Sequence, residues 1–308
     1  MPSGGLRKLP FRVTAAVLTK DGGLLFTHLA KHLAWQCERY GIEVLIVDSG
    51  STDGTARCAR AHGFTLHTID PREYGHGRTR NLAVRLATGD VICFLTQDVL
   101  PCTPDWPAVF AEHFARDAEL AGVYGRQVPR SAATAEMHFV SVNYPPTPRR
   151  YDPVPGGHSP ALGRVVFSDA FGAVRRSVVL EIPYVDDILV SEDQVWAKAV
   201  TAAGWAILYE PRAEALHGHR YTLRGLFRRS YLIAQAGEPF GLLAKTTFWS
   251  GVAHLLREIA FFVRHGHAHW LPWLVCYEFV RWWGIQRGRR SGWRPDWQMP
   301  SAGDTRPA

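Results

Sequence analysis

A few polar residues follow apolar or helical stretches at three separate places in the chain, and their types suit chemistry on a hydroxyl-bearing substrate. Thr96-Gln97-Asp98 directly follows the apolar run at residues 91–95. Glu192-Asp193 stands where a helix is expected to begin, and His217 comes 24 residues after Asp193. Carboxylates and neutral imidazoles bind divalent cations, and a carboxylate can take a proton from a hydroxyl. The set predicts a cation site with a general base nearby.

Each of these residues also has an ordinary structural interpretation. Asp98 could be a turn residue at the end of a strand, because Pro101 follows it closely. Glu192 and Asp193 could be acidic residues in the first turn of a helix, where the helix dipole favours them. His217 could be a structural or surface histidine, and His219 is an alternative to it as a ligand.

The first part of the sequence alternates short apolar runs with helical patterns, which predicts an α/β fold with a mainly parallel sheet covered on both faces. The predicted strands are residues 12–19, 43–47, 64–69 and 91–95, and the predicted helices include 24–37 and 79–88. Ligands of such sheets bind beyond the carboxyl ends of the strands. Thr19, Asp48 and Asp98 follow three of these strands, so we expect them to meet at one crevice.

The later sequence predicts a different organisation. Residues 124–164 are rich in Pro, Gly and Arg and are interpreted as a long loop over the site. Structure is expected to return at 165–167, with a helix at 191–203 and a strand at 205–209. Helical patterns then predict helices at 223–236, 242–263 and 270–287. The predicted organisation is a catalytic domain at 1–222, an amphipathic helical region at 223–291 and a disordered tail at 292–308.

The charge of the chain is concentrated near its C-terminal end. Residues 220–308 carry 13 Lys or Arg against 5 Asp or Glu, together with seven of the eleven tryptophans. Basic residues interleaved with tryptophan favour peripheral contact with an anionic membrane surface. A solvated helical appendage is the simpler alternative. A nucleic-acid binder rests on the basic charge alone, and no recognisable motif supports it, so we expect no nucleic-acid partner.

Cysteine spacing and hydropathy favour a location inside the cell. The five cysteines are odd in number and include no Cys-x-x-Cys pair, which argues against a cysteine-based zinc site or a disulfide framework. The N-terminus lacks the apolar core of a signal peptide. Residues 270–285 are apolar but short, and they contain Glu278 and Arg281, so they are not expected to span a bilayer. The expected location is cytoplasmic, peripheral at the inner face of the membrane.

Five sequence segments carry a family resemblance. VDSGSTDGT at 47–55 resembles the signature of the family 2 inverting glycosyltransferases, which have the GT-A (Rossmann-like) fold. HGRTRNLA at 76–83, FLTQDVLP at 94–101, FSDAFGAVRRSV at 167–178 and ALHGHRYTL at 215–223 resemble the rhamnosyltransferase branch of that family. The resemblance covers residues 12–223. It implies a GT-A domain, a mostly parallel sheet flanked by helices, and a C-terminal helical appendage.

The resemblance also implies roles for the acidic residues and the histidine. Asp98 would bind the Mg²⁺ or Mn²⁺ that bridges the donor diphosphate, and His217 would complete the metal site. Gln97 stands where the common family motif has a first carboxylate, as expected in the rhamnosyltransferase branch. Asp193 would be the general base and Glu192 would support it.

Further residues are assigned to the two substrates. The donor side is expected to include Thr19 and Asp21 for base and ribose, Asp48 and Ser49 for the pyrimidine, and Arg78 and Arg80 as an electropositive wall for the diphosphate, beside Gln97 and Asp98. The acceptor side is expected to include Asp169, Arg175 and His219.

The function implied by the resemblance is metal-assisted, inverting transfer of a sugar from a nucleotide-diphosphate donor, with dTDP-L-rhamnose as the favoured donor. The acceptor would be a glycan or a lipid-linked glycan. The alternatives are a family 2 transferase that uses a UDP-hexose, and a non-catalytic regulatory module that binds nucleotide sugars. A glycoside hydrolase would leave the strand-end aspartates without a role. The transferase interpretation requires Asp98 and Asp193 to share one cleft.

Overall fold

The computed structural model describes residues 6–130, 136–158, 165–219, 221–243 and 248–293. The strands in these ranges are β1 (Val13–Thr19), β2 (Glu43–Asp48), β3 (Thr65–Thr68), β4 (Val91–Thr96), β5 (Leu100–Pro101), β6 (Leu120–Val128), β7 (Arg149–Tyr151), β8 (Phe171–Arg175) and β9 (Ala206–Leu216). The helices are α1 (Gly23–Tyr40), α2 (Thr55–Ala61), α3 (His76–Leu86), α4 (Trp106–Arg116), α5 (Met137–Asn143), α6 (Arg176–Glu181), α7 (Glu192–Ala202), α8 (Leu223–Gly237), α9 (Phe248–Arg264) and α10 (Leu271–Arg289).

The strands form one mixed sheet flanked by helices. Its order is β3-β2-β1-β4-β8-β6-β9-β5, and β7 pairs with β9 beside this path. The neighbours from β3 to β4 run parallel, as predicted for the first part of the chain. Beyond β4 the sheet is mixed, because β8 is antiparallel to both β4 and β6. The α/β sheet flanked by helices is confirmed, but its parallel pairs, which also include β6 with β9, are matched by as many antiparallel ones.

The parallel half of the sheet follows from its sequence pattern. β1 and β4 are buried almost throughout, so their apolar residues run continuously rather than alternating with polar ones. Helix α1 packs a stripe that includes Phe26, Leu29 and Leu33 onto the core, and it ends at Gly41, whose φ of 63° suits a left-handed cap. The register pairs Thr19 with Asp48 across β1 and β2. The polar residues that follow these strands are thereby brought to one edge of the sheet.

The prediction of a long loop at residues 124–164 is wrong where regular elements interrupt it, and its residues 131–135 and 159–164 lie outside the described residues. β6 passes through its start, and α5 and β7 lie within it. Of the glycines in this segment, Gly125 is a packing position in β6, as is Gly122 just before the segment. A Cβ atom at Gly125 would lie 2.5 Å from the Phe171 ring, and one at Gly122 would lie 2.9 Å from the Phe167 ring. Residues 165–167 are buried but form no strand, and the next strand begins at Phe171.

The C-terminal helices pack against one another and over one end of the sheet. The predicted helix at 223–236 corresponds closely to α8, and that at 270–287 to α10. The predicted helix at 242–263 overlaps α9, and its residues 244–247 lie outside the described residues. α8 and α10 approach closely because Gly284 faces the α8 backbone, where an added Cβ would lie 2.7 Å from the Phe227 carbonyl oxygen. Among the described residues, none of the helices combines the length and apolarity needed to span a bilayer. The predicted disordered tail lies outside the described residues from position 294 onward.

Candidate active site

A large cavity lies between the carboxyl ends of the parallel strands and the C-terminal helices. Its volume is about 1150 Å³. Thr19 at the end of β1 and Asp98 just beyond β4 line one side of it, and Asp193 in the first turn of α7 lines another. The remaining wall comes largely from α8, α9 and α10. The expectation that Asp98 and Asp193 share one cleft is confirmed.

Two histidines converge on Asp98. His217 Nε2 lies 3.7 Å from one Asp98 carboxylate oxygen, and His219 Nδ1 lies 3.7 Å from the other. Both histidines come from the segment just after β9, which passes beside the end of β4. His219 was expected on the acceptor side, but this position makes it part of the Asp98 cluster. The cluster can supply three ligand atoms to one cation.

The protonation state of His217 is set by its surroundings. Burial lowers its pKa to about 4, although Asp98 opposes that shift, so the imidazole is neutral near pH 7. His217 Nδ1 lies 2.7 Å from Gln127 Oε1, which can only accept a hydrogen bond, so Nδ1 carries the proton. Gln127 Nε2 donates to Ser168 Oγ at 2.9 Å. The lone pair on His217 Nε2 therefore faces the Asp98 carboxylate.

Gln97 joins the ends of β1 and β4. Its Oε1 accepts a hydrogen bond from the Lys20 backbone N–H at 2.8 Å, and its Nε2 donates to the Lys20 carbonyl at 3.0 Å. A carboxylate could accept the first of these bonds but could not donate the second. The glutamine therefore fixes the floor of the cavity, and Asp98 is left as the carboxylate that faces the histidines.

The other predicted donor residues stabilise the loops around the cavity. Asp48 is buried and accepts hydrogen bonds from Thr19 Oγ1 at 2.8 Å and from the Ser51 backbone N–H at 2.9 Å. Ser49 Oγ donates to the Thr19 carbonyl. Asp21 accepts a hydrogen bond from the Thr52 backbone N–H at 2.7 Å. Of the four predicted residues Thr19, Asp21, Asp48 and Ser49, Thr19 alone lines the cavity.

The predicted electropositive wall of Arg78 and Arg80 is not formed. Arg78 is exposed and pairs with Asp187 at 2.9 Å. Arg80 is buried, with its Nε 3.0 Å from Asp169 and its Nη1 in contact with Glu192. Burial opposes the charged form, but the two carboxylates raise the pKa of Arg80 above its usual range. Arg80 therefore neutralises two buried acids, and the prediction failed because sequence spacing did not reveal these partners.

The acidic pair at the start of α7 has two different environments. Ser191 precedes the helix with a left-handed φ of 66° and turns the chain into it. Glu192 points inward to Arg80, whereas Asp193 is partly accessible from the cavity and accepts a hydrogen bond from the Gln194 backbone N–H at 2.8 Å. Burial and the adjacent Glu192 raise the pKa of Asp193 to about 6. A carboxylate with such a pKa is ionised near pH 7 and accepts protons readily.

The two remaining acceptor-side predictions have different outcomes. Asp169 lines the cavity floor, where its carboxylate accepts a hydrogen bond from the Tyr184 hydroxyl at 3.0 Å and pairs with Arg80. Burial raises the pKa of Asp169, and Arg80 opposes that shift. Arg175 lies at the opposite end of the sheet, because it pairs with Val91 at the start of β4, and its guanidinium donates to the Leu120 carbonyl at 3.1 Å. Its acceptor-side assignment is wrong.

Sequence reasoning missed residues that orient the site. Gln127 and Ser168 fix His217, but Gln127 lies in the segment interpreted as a loop. Lys20 supplies the backbone groups that hold Gln97. No local motif marks Gln127, whereas Ser168 lies within the segment 167–178 that carries the family resemblance. A continuous apolar stretch at 120–124 was the one signal that could have revealed β6 and, with it, the position of Gln127.

Comparisons with known proteins agree with this geometry. Residues 26–182 match the model of glycosyl transferase family 2. An O-antigen chain rhamnosyltransferase, RfbN of Salmonella typhimurium, is 27% identical over 295 residues, covering 90% of each chain. A second, WbaN of Salmonella anatum, is 27% identical over 260 residues, covering 80% of this chain and 79% of its own. The mannosyltransferase PcManGT of Pyrobaculum calidifontis, solved with GDP-Man and Mn²⁺, has a TM-score of 0.60 at 18% identity, covering 90% of this chain and 87% of its own.

These similarities identify the class of the protein. The chain belongs to glycosyl transferase family 2 and is a glycosyltransferase. Its α/β sheet with flanking helices and C-terminal helices has the GT-A fold, as the sequence resemblance implied. Its similarity to the two O-antigen enzymes extends over most of each chain.

Proposed function

We propose that this enzyme transfers L-rhamnose from dTDP-L-rhamnose to a glycan or lipid-linked glycan, with inversion at the anomeric carbon. The proposed cation is Mg²⁺ or Mn²⁺, held by Asp98 and His217 with His219 beside them. The proposed base is Asp193, and Glu192 supports it. Thr19 and Gln97, which line the same cavity, would contact the donor, and Asp169 lines the cavity floor.

The arrangement around Asp98 carries the proposal. His217 Nε2 is buried and has no hydrogen-bond partner among the described residues, yet its lone pair faces a carboxylate 3.7 Å away. Two acceptors in this arrangement repel unless a cation lies between them. Gln127 holds the imidazole in the tautomer that a metal requires, as outer-shell partners do in metal sites. The ligand atoms of Asp98, His217 and His219 therefore suit a divalent cation. When bound, the cation would stabilise negative charge on the leaving diphosphate.

The protein residues account for the proton transfer. Asp193 takes the proton of the acceptor hydroxyl as that oxygen bonds to the anomeric carbon. The bond from this carbon to the diphosphate oxygen breaks, and the diphosphate leaves with the electron pair. Attack from the face opposite the leaving group inverts the configuration, so a β-linked donor gives an α-linked product. A base within hydrogen-bond reach contributes roughly 10²–10⁴-fold to such a step.

The donor assignment rests on sequence similarity to rhamnosyltransferases. The motifs at 76–83 and 94–101 resemble the rhamnosyltransferase branch, and the two Salmonella relatives are named as rhamnosyltransferases. In addition, Gln97 has a structural role that a carboxylate could not fill, because its amide both accepts from and donates to the Lys20 backbone. A UDP-hexose donor is the alternative that the assay below separates.

A panel of nucleotide sugars, with and without EDTA, tests the proposal through release of nucleoside diphosphate by the purified enzyme. We expect release with dTDP-L-rhamnose that chelation abolishes and Mg²⁺ or Mn²⁺ restores. Asp193→Asn should lose roughly 10²–10⁴-fold in turnover. Asp187→Asn is the matched control, because Asp187 is an exposed acid a few residues away that does not line the cavity.

The outcomes separate the parts of the proposal. Preference for a UDP-hexose would reject the rhamnose assignment and leave the base and the cation site in place. Full turnover by Asp193→Asn would reject the base. Turnover that EDTA does not change would reject the role of the cation.

We further propose that the C-terminal helices contact an anionic membrane surface at the cytoplasmic face. Three apolar side chains occupy one face of α10 at helical spacing: Val275, Phe279 and Trp282 are 50%, 60% and 52% exposed. The same three side chains line the cavity, so the apolar surface leads toward the acidic residues. This arrangement suits an acceptor that is anchored in lipid, and the basic charge of the region suits anionic headgroups.

Vesicle flotation tests the membrane contact. Binding to phosphatidylcholine vesicles should be weak, and addition of phosphatidylglycerol should strengthen it in a manner that salt reduces. Phe279→Ser with Trp282→Ser should weaken binding, whereas Leu180→Ser, an exposed apolar residue on α6, should not. Equal binding by both variants would reject this surface.

A further inference from the structure

A second cluster of potential metal ligands lies where α5 meets the C-terminal helices. His138 comes from α5, and His254 and Glu258 come from successive turns of α9. Glu258 Oε1 lies 3.3 Å from His138 Nδ1 and 3.3 Å from His254 Nε2. Glu278 and Arg281 approach from α10, with Glu278 3.9 Å from His254 Nε2. The cluster thus joins α5, α9 and α10. Among the described residues, the structure gives no other ion pair between these three helices.

The separations within this cluster match a metal site better than a hydrogen-bonded one. Charge-assisted hydrogen bonds between nitrogen and a carboxylate are usually about 2.7–2.9 Å long, so 3.3 Å is long for both histidines. In a tetrahedral site with zinc–ligand bonds of about 2.0–2.1 Å, neighbouring ligand atoms are about 3.3 Å apart. The two measured separations are those of ligands placed around one ion.

An unsatisfied atom supplies the second observation. Glu258 is buried, and its Oε2 has no hydrogen-bond partner among the described residues. A buried carboxylate oxygen without a partner is costly, and a bound ion is one way to satisfy it. His254 and Glu278 line the large cavity, which gives an ion a path of entry.

Metal binding at this cluster depends on the position of Arg281. Its guanidinium contacts Glu278, and it donates to His254 Nε2 at 2.7 Å, so this nitrogen carries a lone pair. A metal ion would use the same lone pair. Binding therefore requires Arg281 to release His254 while it stays on Glu278, and the arginine and the metal compete for one ligand atom.

We propose that His138, His254 and Glu258 bind a zinc ion that ties α5 to α9 beside the cavity. Imidazole nitrogens with one carboxylate are a ligand set typical of zinc, whereas Mg²⁺ prefers oxygen alone. The ion holds the C-terminal helices against the sheet domain and so keeps the cavity wall in place. The site is separate in sequence and ligands from the Asp98 cluster, and it does not depend on the proposed sugar transfer.

Metal binding by the full chain tests this site in an Asp98→Asn background, which removes a ligand of the other cluster. The metal-free protein is titrated with Zn²⁺, and bound metal is measured after dialysis. We expect one zinc ion per chain and a rise in the unfolding midpoint. Glu258→Gln and His138→Gln should each lose the bound ion and the rise. His265→Gln, just after α9, is the matched control and should keep both.

Two further measurements keep the test decisive if a ligand variant folds poorly. Co²⁺ in place of Zn²⁺ should give the intense visible absorption of a tetrahedral site in the Asp98→Asn protein, without any change to the cluster. Arg281→Met should bind Zn²⁺ more tightly, because the competing donor to His254 is gone. Absence of the Co²⁺ band, or zinc content that is unchanged in Glu258→Gln and His138→Gln, would overturn the proposal.

Discussion

Replacement of Arg80 by methionine tests the buried ionic network beneath the cavity. Methionine is close in length but has no charge, so Asp169 and Glu192 would lose their shared cation. The Arg80, Asp169 and Glu192 side chains are 7%, 0% and 6% exposed, so water cannot replace the guanidinium. Removal of one partner from a buried ion pair costs about 3–5 kcal/mol, because the other charge is left uncompensated. We expect a loss of this size in the free energy of unfolding.

Arg78→Met is the matched control for this substitution. Arg78 lies two residues away in α3, but its side chain is 49% exposed and its partner Asp187 is 69% exposed. Exposed ion pairs contribute about 0–1 kcal/mol, so this variant should unfold almost as the wild type does. The difference between the two arginine variants isolates the effect of burial, because both remove the same charge from the same helix.

Urea unfolding at several pH values measures the effect and its origin. Without Arg80, the burial that raises the folded-state pKa of Asp169 is no longer opposed by the guanidinium. Stability is then retained at low pH, where this carboxyl group is neutral, and is lost as the pH rises through its folded-state pKa. The deficit of Arg80→Met should therefore be larger at pH 8 than at pH 5. Glu192→Gln in the same chain should recover part of it.

Equal unfolding midpoints for Arg80→Met and Arg78→Met would refute this reasoning. A deficit that does not change with pH would also contradict it, since lost packing alone is independent of protonation. A double variant less stable than Arg80→Met would show that Glu192 has another stabilising partner.

Three further predictions concern the site and its support. Asp193 must be ionised to act as a base, and its pKa is raised to about 6. We therefore expect kcat/KM to rise with pH through this value and then level off. A flat profile from pH 5 to 8 would contradict the role of Asp193 as the base. Gln127→Leu should weaken activation by Mn²⁺ about 10–100-fold, because His217 loses the acceptor that orients its ring. The measurement is the Mn²⁺ concentration that gives the half-maximal rate. Unchanged activation would reject the orienting role of Gln127. Gly125→Ala should destabilise the fold by about 1–3 kcal/mol in urea unfolding, since its Cβ would lie 2.6 Å from the Ala213 carbonyl oxygen, and wild-type stability would contradict that crowding.

Much of the parallel half of the fold could be predicted from the sequence because its signals are local. Apolar runs at 12–19 and 91–95 predict buried strands, and the polar residues after them mark the strand ends. Once the strands are parallel, these ends must share one edge of the sheet. The same reasoning correctly predicted that Asp98, just beyond β4, lies at the cavity. The predicted loop at 124–164 overlapped β6, because the packing that requires Gly125, against Phe171, is not local.

The partners of the charged side chains were decided by the tertiary structure. Arg80 and Glu192 are separated by 112 positions, and His217 and Gln127 by 90, so no spacing rule could pair them. The sequence alone determined that acids, histidines and arginines stand at strand and helix ends. It could not determine which arginine is buried as a counter-ion and which faces solvent, because desolvation depends on what the rest of the chain packs around each group.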